Sequence, residues 1–227
     1  MKIITVIMAG GLGKRMRPLT SKIPKPLVNI GHKKLIDYSL EIAEKHTHRT
    51  IVTTFYKSQM IKNYLRENWP SAVCLKDPFL INTGGSLKWH VDYLKRERPG
   101  MILVLMSDHI RRINLDLLFK SHLRGKNDIT VICADPSPKH NQIAKAEGAA
   151  IHYYPKEKIP AGKDLFSYTG ECLFSTDFLF PFLENKKETV FDISWGTLAP
   201  TIENRSGKVG IFPIKKWVDI GTLEQVA

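Results

Sequence analysis

The segment Ile3-Ile4-Thr5-Val6-Ile7-Met8-Ala9-Gly10-Gly11-Leu12-Gly13-Lys14-Arg15-Met16-Arg17-Pro18-Leu19-Thr20 joins two kinds of sequence. Ile3–Met8 is apolar and β-branched and reads as a buried strand. It runs into a glycine-rich turn. Such a turn leaving a strand can aim several backbone N–H groups at a polyphosphate. Glycine suits it because side chains would block close approach or forbid positive φ. Two familiar phosphate motifs do not fit. The dinucleotide fingerprint needs glycine where Met16 stands, and a P-loop needs Ser or Thr where Arg15 stands.

Outward from this segment, strand-like runs alternate with helix-period segments. Leu35, Leu40 and Ala43 recur at helical spacing, Ile51–Phe55 is strand-like, and Met60, Ile61, Tyr64 and Leu65 mark a second helix. Thr83–Leu94 predicts one helix, Met101–Met106 a strand, Leu115–Leu123 a helix and Ile129–Ala134 a strand. This order predicts an α/β fold with a mostly parallel sheet and helices on both faces. After Asp135-Pro136-Ser137-Pro138 the pattern changes. Short strands are expected at Ala149–Tyr154, Thr169–Phe174 and Val209–Pro213, with helices near Thr176–Leu183 and Ile193–Glu203. The reading is one domain over 1–227, with the glycine-rich turn in a half at 1–134. The half at 135–227 would be a small substrate-facing subregion folded over the sheet.

The chain has 227 residues, 43% of them hydrophobic, enough for the core of one compact domain. No apolar run reaches the roughly 18–20 residues of a membrane span, so no membrane partner is expected. The start suits a first strand better than a signal peptide. Cys74, Cys133 and Cys172 are widely separated, which suggests neither a disulfide framework nor a zinc site and makes a reducing cytoplasm the natural compartment. Lys plus Arg is 34 against 22 for Asp plus Glu, a net charge of +12. That balance favours polyanionic partners. Its basic residues are scattered, with no arm or RNA-binding signature, so phosphorylated small molecules are expected rather than nucleic acid.

The glycine-rich segment, continued by Pro24-Lys25-Pro26-Leu27, resembles the G-G-x-G-x-R-M-x-P-L-T-x-x-x-P-K-P-L signature of the sugar-1-phosphate nucleotidyltransferases. The resemblance implies a Rossmann-like three-layer sandwich, with a nucleotide-binding half at 1–134 and a sugar-facing half carrying the second metal ligand at 135–227, and transfer of a nucleotidyl group to a sugar 1-phosphate. It also implies that Ala9, Gly10, Gly11 and Gly13 hold the nucleotide, Arg15 grips its phosphates and Lys25 reaches the reacting phosphate. Ile81-Asn82-Thr83-Gly84-Gly85-Ser86-Leu87 resembles the family's L-G-T-[AG]-G-A-L segment, which adds Asn82, Thr83, Gly84 and Gly85 to the nucleotide site. Asn82 stands where glycine is usual, and Asn tolerates the left-handed region better than most residues.

Leu103-Val104-Leu105-Met106-Ser107-Asp108-His109 puts a carboxylate at the end of a buried strand, where open α/β sheets bind ligands. It is similar to the family's strand-G-D motif, and Trp217-Val218-Asp219-Ile220-Gly221-Thr222 to its W-x-D-[IV]-G-T. By that resemblance Asp108 and Asp219 jointly hold Mg²⁺, with His109 a neighbour because Mg²⁺ prefers oxygen. Around the sugar the match is looser. Tyr168-Thr169-Gly170-Glu171-Cys172-Leu173-Phe174 resembles the N-x-G-[IL]-Y-x-[FL] strand, with Tyr168, Glu171 and Cys172 departing from it. Glu157-Lys158-Ile159-Pro160 is a counterpart of the E-K-P element. These matches imply Gly170, Glu157 and Lys158 as sugar-phosphate contacts. Asp192 suits an N-cap better than a catalytic role.

The implied reaction is in-line attack of the sugar phosphate on the α-phosphorus of a nucleoside triphosphate, releasing pyrophosphate, with Mg²⁺ as cofactor. Two other readings stand beside it. One is a regulatory paralogue that binds nucleotide sugars without making them; the other is a cytidylyltransferase acting on a non-sugar alcohol phosphate. The Thr83-Gly84-Gly85 form is similar to relatives that use CTP or GTP. A homo-oligomer stays open, because relatives often continue into a helix beyond Gly221-Thr222.

Overall fold

A computed structural model describes residues 1–137, 139–145, 151–159 and 165–226. Residues 149 and 150 of the expected strand, and Pro160 and Pro138, lie outside them. The strands are β1 (Ile3–Ala9), β2 (Asn29–Ile30), β3 (Lys33–Lys34), β4 (Arg49–Thr54), β5 (Val73–Lys76), β6 (Met101–Met106), β7 (His109–Arg112), β8 (Ile129–Ala134), β9 (Gln142–Lys145), β10 (Ile151–Tyr154), β11 (Leu165–Ser175), β12 (Val209–Pro213) and β13 (Lys216–Asp219). Nine of them form one sheet around β1, which pairs in parallel with β4 on one side and β6 on the other. β5 extends the parallel run beyond β4. Beyond β6 the antiparallel β11 meets β8 and β9, β12 lies parallel to β8, and β10 closes the far edge against β9. The sheet is thus mostly parallel, as the alternating sequence predicts.

Strand periodicity divides the core in two. Ile3, Ile7 and Ala9 of β1 face one apolar cluster, while Ile4, Val6 and Met8 face the other. β6 splits likewise, with Met101, Leu103 and Leu105 on one side and Ile102 and Val104 on the other. The first cluster is closed by helices Asp37–His46, Ser58–Asn68 and Leu115–Gly125 through Leu40, Ile61, Leu65 and Leu118. The second is closed by helices Asn82–Trp89, Val91–Arg96 and Thr176–Asn185 through Leu87, Leu94, Leu179 and Leu183. A strand buried on both faces is apolar almost throughout, which is why Ile3–Met8, with Thr5 the one polar residue, and Met101–Met106 show no polar alternation. Each such Val, Leu or Ile contributes roughly 1.5–3 kcal/mol of burial.

Local signals set several boundaries. Asn114 caps Leu115–Gly125 by accepting a 3.0 Å bond from the Leu117 N–H, and Lys126 ends it in the left-handed region. The helix expected over Thr83–Leu94 is two helices divided at His90, whose ring reaches Asp77 Oδ1 at 3.0 Å. Thr169–Phe174 lies within the longer β11, which carries a register shift between Tyr168 and Cys172 around Gly170 at φ 84°. The stretch expected to be helical from Ile193 begins with a π-turn over Ser194–Leu198 and continues as Ala199–Glu203. No helix is long and apolar enough to cross a membrane among the described residues.

The chain leaves β1 for β4 and β5 on one side, then crosses to β6 on the other. The carboxyl ends of β1 and β6 therefore border the point where the strand order reverses, the usual ligand crevice of open α/β sheets.

Candidate active site

β1 delivers Gly10 and Gly11 to that crevice, where they line a cavity of about 310 Å³ together with Lys25, Asp77, Thr83 and Asp108. Ala9 itself stays in the core beneath the loop. Gly13 takes φ 62° and its carbonyl accepts bonds from the Met16 N–H at 3.0 Å and the Thr20 hydroxyl at 2.8 Å. That positive φ is the reason for glycine at 13. At Gly11 nothing lies within 4 Å of where a Cβ would stand, so protein packing does not ask for glycine there. Lys25 opens a single 3-10 turn, Lys25–Leu27, pinned by Leu27 N–H to Pro24 O at 2.9 Å and Val28 N–H to Lys25 O at 3.1 Å. The proline on either side limits the backbone freedom of this lysine.

Lys25 Nζ donates to Asp108 Oδ2 and lies 3.8 Å from Asp219 Oδ1. The two aspartates, 111 positions apart in sequence, meet because β13 pairs antiparallel with β7 and sets Asp219 opposite His109. The Ile220 N–H bonds the Asp108 carbonyl at 3.1 Å and locks this register. Burial pushes the Asp108 carboxyl up, but the charges of His109 and Lys25 outweigh it and hold its pKa below the ordinary value. Asp219 Oδ1 is buried without a hydrogen bond. A buried carboxylate oxygen without a hydrogen bond, 3.8 Å from the Lys25 ammonium and beside a second carboxylate, fits a cation held by both. Arg15 places its guanidinium over Gly221, with nitrogens 3.0 and 3.1 Å from where a Cβ would stand. It thus lies beside the Asp219 turn.

Asn82 adopts φ 61°, the left-handed geometry expected of it, and Asn82 and Thr83 line the cavity. Thr83 Oγ1 accepts the Ile193 N–H at 3.0 Å, which ties the helix start to the 189–193 segment. Gly84 and Gly85 face that segment: a Cβ on Gly84 would meet the Phe191 ring, and one on Gly85 the Thr189 carbonyl. Their small size serves close packing behind the cavity wall. Asp192 lines the cavity and accepts the Trp195 N–H at 2.7 Å, an N-cap bond as expected.

A second cavity, of about 410 Å³, opens on the far side of Asp219. Gly170 lines it at the β11 bulge, with Glu157, Lys156 and Trp217. The lysines there are Lys139 and Lys156, the latter two residues before the expected Lys158, which is exposed on the same one-turn helix. The side chains of Tyr168 and Cys172, which depart from the resembled strand, are buried.

The sequence matches the nucleotidyl transferase family over residues 4–227. The chain belongs to that family. It is 24% identical over 268 residues to a glucose-1-phosphate adenylyltransferase of Thermodesulfovibrio yellowstonii, covering 98% of this chain and 64% of that protein. It is 30% identical over 167 residues to glucose-1-phosphate adenylyltransferase 2 of Vibrio vulnificus, covering 66% of this chain and 41% of that protein. The chain therefore spans less than two thirds of the length of these relatives. Among solved structures, HddC from Yersinia pseudotuberculosis complexed with GMP-PN superposes with a TM-score of 0.78 at 21% identity, covering 100% of this chain and 96% of that one. That likeness is one of fold.

Within this nucleotidyl transferase, Asp77 belongs to the site and no motif pointed to it. It is 4% exposed at the cavity wall, and its Oδ1 accepts the Ser86 hydroxyl at 2.9 Å and faces His90 Nε2 at 3.0 Å. Its place just after β5 at the carboxyl edge of the sheet was the available signal. The Leu80 and Met106 side chains complete the wall.

Proposed function

We propose that the protein transfers a nucleotidyl group from a nucleoside triphosphate to a sugar 1-phosphate, giving a nucleotide sugar and pyrophosphate. The observation that carries this reading is the Asp108–Lys25–Asp219 cluster, in which Asp108 lines one cavity and Asp219 the other. A two-substrate transfer needs both substrates to meet at one charged point.

In this reading the cavity beside Gly10 and Gly11 takes the triphosphate, with Asn82 and Thr83 towards its nucleoside. The cavity beside Gly170 and Glu157 takes the sugar phosphate. An oxygen of the sugar phosphate attacks the α-phosphorus in line, and pyrophosphate leaves. No protein nucleophile is needed, because the attacking phosphate is already ionised at neutral pH. The Lys25 ammonium offsets charge at the reacting phosphate, and the Arg15 guanidinium, over Gly221, holds phosphate oxygens. Asp108 and Asp219 would hold Mg²⁺, whose contribution when bound is to draw charge off phosphate oxygens.

Pyrophosphate release, measured with Mg²⁺ across four nucleoside triphosphates and a panel of sugar 1-phosphates, tests the reading. One strongly preferred pair supports it and names both substrates. Release only with a non-sugar alcohol phosphate would replace the acceptor. Silence throughout, with nucleotide sugars still bound in calorimetry, would establish a regulatory binder instead.

A further inference from the structure

Beneath the two carboxylates lies a buried polar cluster that the transfer, as described, does not use. His109 pairs across the β7–β13 ribbon with Asp219, so both side chains leave the same face at close range. The donor atoms of Asp108, His109 and Asp219 all lie within 4.8 Å of one another. His109 is 6% exposed, and its ring meets Trp217 edge-on with centroids 5.2 Å apart. Its Nδ1 faces Glu171 Oε1 at 3.3 Å, and its Nε2 faces Asp108 Oδ1 at 3.7 Å.

Glu171 is wholly buried in β11 and is itself held fast. Its Oε1 accepts from the Met106 N–H at 2.9 Å and from Arg111 Nη2, and Arg111 also donates to the Met106 carbonyl at 2.8 Å and to Ser39 Oγ at 3.1 Å. A fully buried ion pair carries a heavy desolvation cost and is a poor device for stability alone. A fixed carboxylate on Nδ1 has a definite effect: it keeps a hydrogen on that nitrogen and sets the ring plane, so a cation that displaces any proton from Nε2 meets a lone pair facing outward. Outward here is the space shared by Asp108 and Asp219.

We propose that His109 Nε2 is a third protein ligand of the cation site, positioned by Glu171 and Arg111. The resulting nitrogen–oxygen centre holds Mn²⁺ or Co²⁺ more tightly than Mg²⁺. The inference rests on the reading of Asp108 and Asp219 as the cation carboxylates. Imidazole is a ligand for borderline transition ions, whereas Mg²⁺ takes oxygen and keeps its waters. Lys25 contacts both carboxylates, so a plain charge cluster is the competing account. That account makes Nε2 an N–H facing Asp108 Oδ1 at 3.7 Å, with no metal bound.

Metal-stripped protein would be titrated with Mn²⁺, alone and with a methylene-bridged nucleoside triphosphate, and read by electron spin-echo modulation. A directly bound ¹⁴N that becomes ¹⁵N on histidine labelling, and disappears in His109→Ala, supports the proposal. Calorimetry with Co²⁺ and Mg²⁺ supplies a second readout. His109→Ala should weaken Co²⁺ by about 100-fold or more while Mg²⁺ changes by less than about threefold, and Glu171→Gln should weaken Co²⁺ by about tenfold. Bound Mn²⁺ without histidine nitrogen in the wild-type protein overturns the proposal and leaves the carboxylate reading standing. Failure of the wild-type protein to bind any divalent ion, with or without nucleotide, overturns both.

Discussion

Gly11 and Gly84 show how two glycines in motif-like positions answer to different demands. A Cβ at 11 meets open space, whereas one at 84 meets the Phe191 ring. Gly11→Val should therefore leave the thermal midpoint nearly unchanged while weakening triphosphate binding by about tenfold or more, through volume placed in the cavity. Gly84→Ala should do the reverse, costing about 1–3 kcal/mol of stability by overpacking with a smaller effect on binding measured at equal folded fraction. Equal stability losses in the two variants would show that Gly11 serves packing after all. Lys25 is read in turnover instead. Lys25→Ala should lower the rate by roughly two to three orders of magnitude with the fold intact, because the charge it supplies acts on the reacting phosphate. Near-normal pyrophosphate release by Lys25→Ala would remove Lys25 from the proposed chemistry.

The helix Leu115–Gly125 carries a titratable group that couples stability to pH. His122 sits between Thr130 Oγ1 at 2.8 Å and Ser175 Oγ at 3.0 Å, and burial lowers its pKa from 6.5 to about 4. Between those values the unfolded chain binds a proton that the folded chain refuses, so stability falls as pH drops from about 6.5 towards 4 and levels off below. The full loss from this one group is roughly 3 kcal/mol, at 1.36 kcal/mol for each unit of pKa shift. Denaturant midpoints from pH 7 to pH 4.5 should fall less steeply in His122→Gln than in the parent. Parallel slopes would clear His122 of the effect. No sequence motif announces this group, because Thr130 and Ser175 come from β8 and the end of β11. The elements that were legible share a local cause: β1, β6, β8 and β12 are largely apolar runs. β9 and β7 were not legible, since Gln142–Lys145 becomes a strand only between β10 and β11, and His109–Arg112 only against β13. The break at His90 likewise depends on Asp77, thirteen positions earlier. Of the residues lining the two cavities, Gly10, Gly11, Lys25, Asn82, Thr83, Asp108, Glu157, Gly170 and Asp219 stand in contiguous motifs. Asp77 and Lys156 were placed by the sheet edge and by a one-turn helix respectively.

At the scale of the whole molecule, charge and site have opposite signs. The chain carries a net charge of +12, yet the ionisable side chains lining the cavity beside Gly10 and Gly11 are Lys25 against Asp77, Asp108 and Asp192. The general basic excess is therefore of limited help to an anion inside the cavity. At physiological salt, exposed charges more than about 8 Å away are largely screened. A triphosphate entering a wall of carboxylates needs its own counter-cation, and the Asp108–Asp219 pair is where that cation would be retained. Triphosphate affinity should thus depend strongly on a divalent ion and weakly on ionic strength. In calorimetry, chelating divalent ions should weaken binding by at least about tenfold, or 1.4 kcal/mol, at constant ionic strength. Raising KCl from about 50 to 200 mM with the divalent ion present should change it far less than the thousandfold or greater loss common for proteins that bind DNA through many phosphate contacts. In Asp108→Asn the dependence on the divalent ion should shrink, since one of the carboxylates that both repel the phosphates and hold the ion is gone. A triphosphate that binds equally well in chelator, and is displaced steeply by KCl, would mean that the scattered basic surface captures the anion instead of the cavity.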